Sequence, residues 1–154
     1  MKKNVYYDVD KLLNDIRHDI EDVLIDEVLD EVKNIELEHI QYDVFRAYSP
    51  KIYERRGHNG IDDPKNIIGE VNNMSLTVDN KTKFNDGYGT YNHGVGLADL
   101  INGGDGVNGY YYDYFGEFNL PRPFLDNTEY EIERTNRVDD ALVKGMRRRK
   151  YNIT

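Results

Sequence analysis

Val9, Leu12, Leu13, Ile16, Ile20, Val23, Leu24, Val28, Val32 and Ile35 recur at spacings of three and four near the start of the chain. That pattern predicts one amphipathic helix from about residue 8 to residue 39. Asp8 stands where an N-cap is expected and Asp10 falls in the first turn, where acids are favoured. Such a helix would span roughly 45 Å at 1.5 Å per residue, more than the roughly 30 Å width of a small domain. Part of it is therefore expected to pack on a partner, or the helix to break near Asn34. The apolar stripe is wider than a strict coiled-coil seam.

Tyr42 to Tyr53 is rich in aromatics, and the helical pattern ends before Pro50, because a residue preceding proline avoids the helical region. Gly57 to Asp63 is a turn cluster followed by Pro64. Ile67–Val71 and Met74–Val78, separated by Asn72–Asn73, read as the two strands of a β-hairpin. Residues 79–96 are polar and glycine-rich and read as a long loop. Leu97–Ile101 is a short apolar element leading into NGGDGVNGYYYDYFGEF, whose glycines make it a loop despite its aromatics. Pro121 and Pro123 bracket the start of a last helix, about 123–150, with Asp126 or Asn127 as its cap. Tyr130, Ile132, Val138, Leu142, Val143 and Met146 supply its buried face. Gly145 costs that helix about 1 kcal/mol relative to alanine and marks either fraying or a close contact. The fold class is α+β, with a long helix, a small mostly antiparallel sheet with long loops over residues 42–118, and a closing helix.

Composition narrows this further. A chain of 154 residues suits one domain, 1–154, and with 38% apolar residues its core must be economical. No apolar run fits a signal peptide or a membrane span. Cysteine is absent, which removes disulfides and thiolate metal sites. The net charge of −9 is unevenly spread: acids crowd the first helix, whereas bases cluster at Arg55–Arg56 and Arg147–Lys150. A general nucleic-acid binder is normally basic overall. The C-terminal basic run suits a helix end, where cations oppose the dipole.

No arrangement of residues commits the chain to catalysis. His18 and His39 lie too far apart on the charged helix to share a face and are expected to be solvent-exposed. His58 has Asn59, Asp62 and Asp63 beside it, but none of the spacings that hold zinc. Asp99, Asp105, Asp113 and Glu117 do not form a calcium loop. Nucleophile elbows and phosphate-binding glycine loops are missing from the sequence. Glu54, Arg55, Arg56 and His58 could furnish a nuclease only by converging, yet they share one short segment. The expectation is a protein without metal or cofactor that is not an enzyme.

Interfaces are the better use of the remaining features. Tyr110, Tyr111, Tyr112, Tyr114 and Phe115 are flanked by Asp105, Asp113 and Glu117. Those acids argue against phosphate, and tyrosine suits a protein contact. Arg55 and Arg56 can fork onto carboxylates, either on the same subunit or on the acidic helix of a neighbour. Phe124, after Arg122–Pro123, reads as an aromatic anchor holding the last helix on the sheet.

Tyr48, Pro50, Tyr53, Arg55 and Arg56, then Gly60 and Asp63, then Arg122, Pro123 and Phe124, then the basic end form a series of ordered blocks. In that order the chain resembles the tail-completion and head–tail joining minor virion proteins of long-tailed bacteriophages. The resemblance covers most of the chain, and is weakest over residues 79–93 and 103–118. It implies a virion protein made in the host cytoplasm, self-assembling into a ring, six-fold in this expectation. Its neighbours would be connector or stopper proteins and the tail tube or tail terminator. DNA would pass through without sequence-specific binding, and no membrane is involved. A head–tail adaptor, a tail terminator, or a small phage nucleic-acid-processing or regulatory protein using Arg55, Arg56 and Arg147–Lys150 are the alternatives.

Overall fold

The computed structural model describes residues 8–47, 58–83, 96–103 and 120–153. Asp8 caps the first helix, α1 (Val9–Val23), its carboxylate accepting from the backbone N–H groups of Asp10 at 2.9 Å and Lys11 at 3.4 Å. The helix does not break near Asn34. It runs on through a π-helical turn (Leu24–Val28), then α2 (Leu29–His39), then a second π-helical turn (Ile40–Phe45), a rod of about 55 Å. Each wide turn admits one extra residue, as the Leu29 N–H bonded to the Leu24 carbonyl and the Arg46 N–H bonded to that of Gln41 show. The phase of the apolar stripe shifts accordingly. Val23 is followed on the buried side by Val28 and Val32, and Ile35 by Ile40 and Val44, so the rod stays in contact with the rest of the chain from about Val23 onward.

Strands β1 (Ile67–Asn72) and β2 (Ser75–Asn80) form the antiparallel hairpin, pairing Gly69 with Val78 and Val71 with Leu76 on its inner face. The turn lies one residue later than predicted. Asn72 pairs with Ser75, and Asn73 and Met74 make the corner with φ of 50° and 59°. Two successive left-handed residues match the right-handed twist of the strands, which ordinary turns do not. Leu97–Gly103 is helical (α3).

The predicted single C-terminal helix is two, α4 (Phe124–Arg134) and α5 (Arg137–Arg148). Thr135 is extended, and its hydroxyl and N–H both return to the Glu131 carbonyl, closing α4. Threonine and asparagine at 135 and 136 favour such local bonds over continuing a helix. The start of α4 also departs from expectation. Neither Asp126 nor Asn127 caps it. Pro123 occupies the cap position, and Asn102 of α3 accepts from the N–H groups of Leu125 (2.9 Å) and Asp126 (3.4 Å).

Two apolar clusters sit along the rod. Ile40, Val44, Ile61, Ala98 and Phe124 form one, with Leu37, Phe45, Ile101 and Leu125 around it. Val23, Val28, Val32 and Met146 form the other, covered by Leu76 and Val78 of the hairpin and Ile132, Val138 and Leu142 of the last helices. Phe124 is fully buried, but against the N-terminal rod and α3, not the sheet. Tyr130, expected on the buried face, is instead 56% exposed.

Candidate functional site

Helix α4 runs antiparallel to α2 and its continuation, joined by a line of polar contacts. His39 places Nδ1 2.9 Å from Asp43 and Nε2 3.0 Å from Glu131, and the Asn127 amide donates to the same Asp43 carboxylate at 2.9 Å. His39 is thus half-buried between two carboxylates, not solvent-exposed as expected; His18 is the exposed one. Neutral imidazole has one N–H, so only the doubly protonated ring donates to both carboxylates.

One turn farther on, Arg137 at the start of α5 collects three carboxylates. Its Nε donates to Glu31 at 2.7 Å, and its terminal nitrogens to Glu38 at 2.8 Å and Glu131 at 2.7 Å. The pair with Glu38 first, then those with Glu31 and Glu131, push the arginine pKa above its ordinary value against the opposing effect of burial. The same bond, chiefly, holds the Glu38 carboxyl below the usual range.

The far end of α5 repeats the device. Arg148 donates to Glu27 at 3.0 Å, Arg149 to Asp26 at 2.9 Å, and the Tyr151 hydroxyl to Asp19 at 2.6 Å. Arg147 donates to the Ile153 carbonyl. Arg137, Arg148 and Arg149 therefore pair with Glu31, Glu38, Glu27 and Asp26 of the rod from within the same chain, and leave its other acids in excess. The basic run does end a helix, with Arg147 and Arg148 in the last turn of α5, and the carboxylates bound by Arg148 and Arg149 put phosphate at a disadvantage at those two. Gly145 makes the crossing possible: a Cβ at that position would lie 2.4 Å from Val23 Cγ1 and 2.8 Å from Glu27 Oε2.

A buried polar knot ties the hairpin to the rod. Asn80 donates to Glu36 at 2.7 Å and to the Ile61 carbonyl at 3.0 Å, while Thr82 donates to Asn80 Oδ1 at 2.6 Å. Burial raises the Glu36 pKa, outweighing the Asn80 hydrogen bond. Beside His58, the Asp63 carboxylate accepts from the Lys65 and Asn59 N–H groups and closes a turn, the lysine bond being the larger cause of its lowered pKa. Among the described residues no group of three or more histidines and carboxylates is placed to hold a metal ion, and no helix is long and apolar enough to cross a membrane.

Of the residues singled out in the sequence, Arg55, Arg56, Tyr110, Tyr111, Tyr112, Tyr114 and Phe115 lie outside the described residues. Pro123 stands exposed at the head of α4 and Phe124 is buried beneath it. Sequence reasoning missed Arg137, whose partners are distant in the chain and leave no local signature. It also missed two Tyr-x-x-x-Arg spacings that were legible: Arg46 lies over the Tyr42 ring at 4.1 Å and Arg134 over the Tyr130 ring at 5.0 Å.

Comparison with known proteins bears on origin. The family model YomN matches residues 8–148, from the α1 cap to the last residue of α5. The chain belongs to the YomN family. This YomN-family chain is also 31% identical, over 145 residues, to the SPbeta prophage-derived protein YomN of Bacillus subtilis (strain 168), covering 89% of this chain and 94% of that one. The family is therefore one of phage origin. No solved structure matches the chain.

Proposed function

We propose that this YomN-family chain is a structural, non-enzymatic virion protein of a tailed phage, assembling as a ring at the head–tail junction or tail top through which DNA passes. The observation that carries this reading is nearly full-length kinship with a prophage-derived protein, taken with the ordered blocks from Tyr48 to Phe124. The geometry supports it in two ways. The acidic rod is stapled to the last helix by arginines of its own chain, which makes the two a single unit. Acids left exposed on the rod, such as Asp22 and Asp30, suit a wall beside DNA, since like charge keeps phosphates from adhering. A tail-completion place is preferred to an adaptor or terminator on the resemblance of those blocks. The nucleic-acid-processing alternative loses Arg148 and Arg149 of its C-terminal run to carboxylates.

Mass spectrometry of purified particles, with copy number, tests the proposal. A low, ring-like copy number in particles and in isolated tails is expected. Absence from particles, while the chain accumulates in infected cells, would overturn it.

A further inference from the structure

We propose that the outer face of the α2–α4 pair, carrying the two tyrosine–arginine pairs, docks the amino-terminal end of α1 of a second copy of this chain. The inference rests on the ring reading and names the two surfaces that would join neighbours.

Tyr42 and Tyr130 come to one side of the helix pair for a geometric reason. Asp43 meets Asn127 and His39 meets Glu131, which fixes the helices as antiparallel and marks their contact line. Each tyrosine directly precedes a residue of that line, so each is turned the same way, opposite the side where Ile40, Val44 and Phe124 are buried. The tyrosines are 57% and 56% exposed, and Arg46 and Arg134 are exposed above them. Tyrosine and arginine are the types that carry binding energy at interfaces. A guanidinium already held over a ring loses less freedom on docking than a free one. Unlike Arg137, Arg148 and Arg149, these two have no carboxylate partner among the described residues.

The complementary surface is on the same chain. α1 opens with Val9 70% exposed and Leu13 48% exposed, and Asp10 stands exposed beside them. Two aliphatics and a carboxylate match two aromatics and two guanidinium groups in both polarity and sign. The surfaces lie roughly 50 Å apart along the rod, at 1.5 Å per residue, so one molecule cannot satisfy itself. The contact is between different patches on two copies and repeats head to tail, which closes into a ring or continues as a filament. Single-stranded nucleic acid also stacks on tyrosines, but the exposed aliphatic pair Val9 and Leu13 of α1 gives a second copy an apolar match that phosphate lacks.

The chain has no cysteine, so single thiols report cleanly. Asn14→Cys and Glu133→Cys place a thiol at the exposed edge of each surface and leave the contact residues intact. Diamide oxidation should link the two variants when mixed, and link neither to itself. Arg46→Glu with Arg134→Glu should abolish that product and weaken wild-type self-association, read by sedimentation, about tenfold or more, with unchanged circular dichroism. No mixed product from thiols that react freely with a maleimide, or Glu133→Cys linking to itself, overturns the inference. If particles nonetheless contain the chain at ring-like copy number, the ring reading survives with other surfaces. Quenching of tyrosine fluorescence by oligo(dT), lost in the double arginine variant, would assign the face to nucleic acid instead.

Discussion

Gly145→Ala is the substitution whose outcome depends most on the packing of α5 against the rod. In an isolated helix it would stabilise by about 1 kcal/mol, because alanine propagates a helix better than glycine. In this fold the added methyl would sit 2.4 Å from Val23 Cγ1 and 2.8 Å from Glu27 Oε2. Neither neighbour yields easily. Val23 is fully buried and β-branched, so in a helix it has essentially one rotamer. Glu27 ends a flexible side chain, but its carboxylate is bound by Arg148 at 3.0 Å and Arg149 at 3.4 Å. Inserting a methylene-sized group into a packed contact costs about 1–3 kcal/mol, and here the displaced ion pairs add to it. The net expectation is a loss of about 1–2 kcal/mol, or roughly 3–6 °C in melting temperature for a domain of this size. Urea unfolding followed by circular dichroism measures it. Val23→Ala makes room for the methyl, so the double variant should be destabilised by less than the sum of the two singles. A Gly145→Ala protein as stable as wild type, or more so, would show that α5 does not cross the rod at this point.

Other expectations follow from single contacts. Phe124→Ala should cost about 3–5 kcal/mol in the same assay, because the ring is wholly buried between the rod and α3. Met74→Gly should stabilise by about 1 kcal/mol, since glycine adopts φ near 59° without the penalty an L side chain meets there. Arg137→Met keeps the stem but leaves Glu31, Glu38 and Glu131 facing one another; with the arginine side chain 30% exposed, solvent screening limits the loss to about 1–3 kcal/mol, and added salt should reduce it. Glu36 has its pKa raised in the folded state, so the native protein holds a proton that the unfolded chain releases, and stability falls as pH rises from the ordinary carboxylate range through the folded value. Glu36→Gln should therefore stabilise at neutral pH, by a margin that shrinks on acidification; a margin that grows toward low pH would reverse the assignment.

The parts of this fold that were legible in the sequence are those set by local periodicity. The apolar spacing from Val9 to Ile35 gave the rod, Asp8 gave its cap, and two short alternating runs gave the hairpin. What failed was set by contacts between distant residues. The rod passes Asn34 because its phase is corrected by π-helical turns, whose extra residue is chosen by what Val28 and Ile40 pack against. α4 takes its cap from Asn102, a side chain more than twenty residues upstream, so no search of its own first turn could find it. The Thr135–Asn136 break has a local signature, two poor helix formers in succession. Arg55 and Arg56 can fork onto carboxylates of the same subunit or of a neighbour, and they lie outside the described residues. Charge counting alone could not reveal that Arg137, Arg148 and Arg149 already serve that rod.

These arginines also explain how a chain with 29 acids and 38% apolar residues holds its helices together. Among the described residues its two apolar clusters are small, and one lies at each end of the contact between the rod and the last helices. Apolar packing acts in any register that keeps a stripe buried, whereas a guanidinium held by three carboxylates tolerates little sliding. Arg137 at the head of α5 and Arg148 and Arg149 at its end therefore fix the axial position of that helix, and Gly145 fixes how closely it approaches. Partly exposed pairs add little stability each, so their larger effect is to select one alignment. In the proposed ring that alignment matters beyond the monomer. The Tyr130–Arg134 pair is carried by α4, and α4 is tied to α5 through Glu131 and Arg137. A slip of one helical turn would move this pair about 5.4 Å along the rod, away from Tyr42. The docking face would be split, although nearly all the apolar burial could be retained.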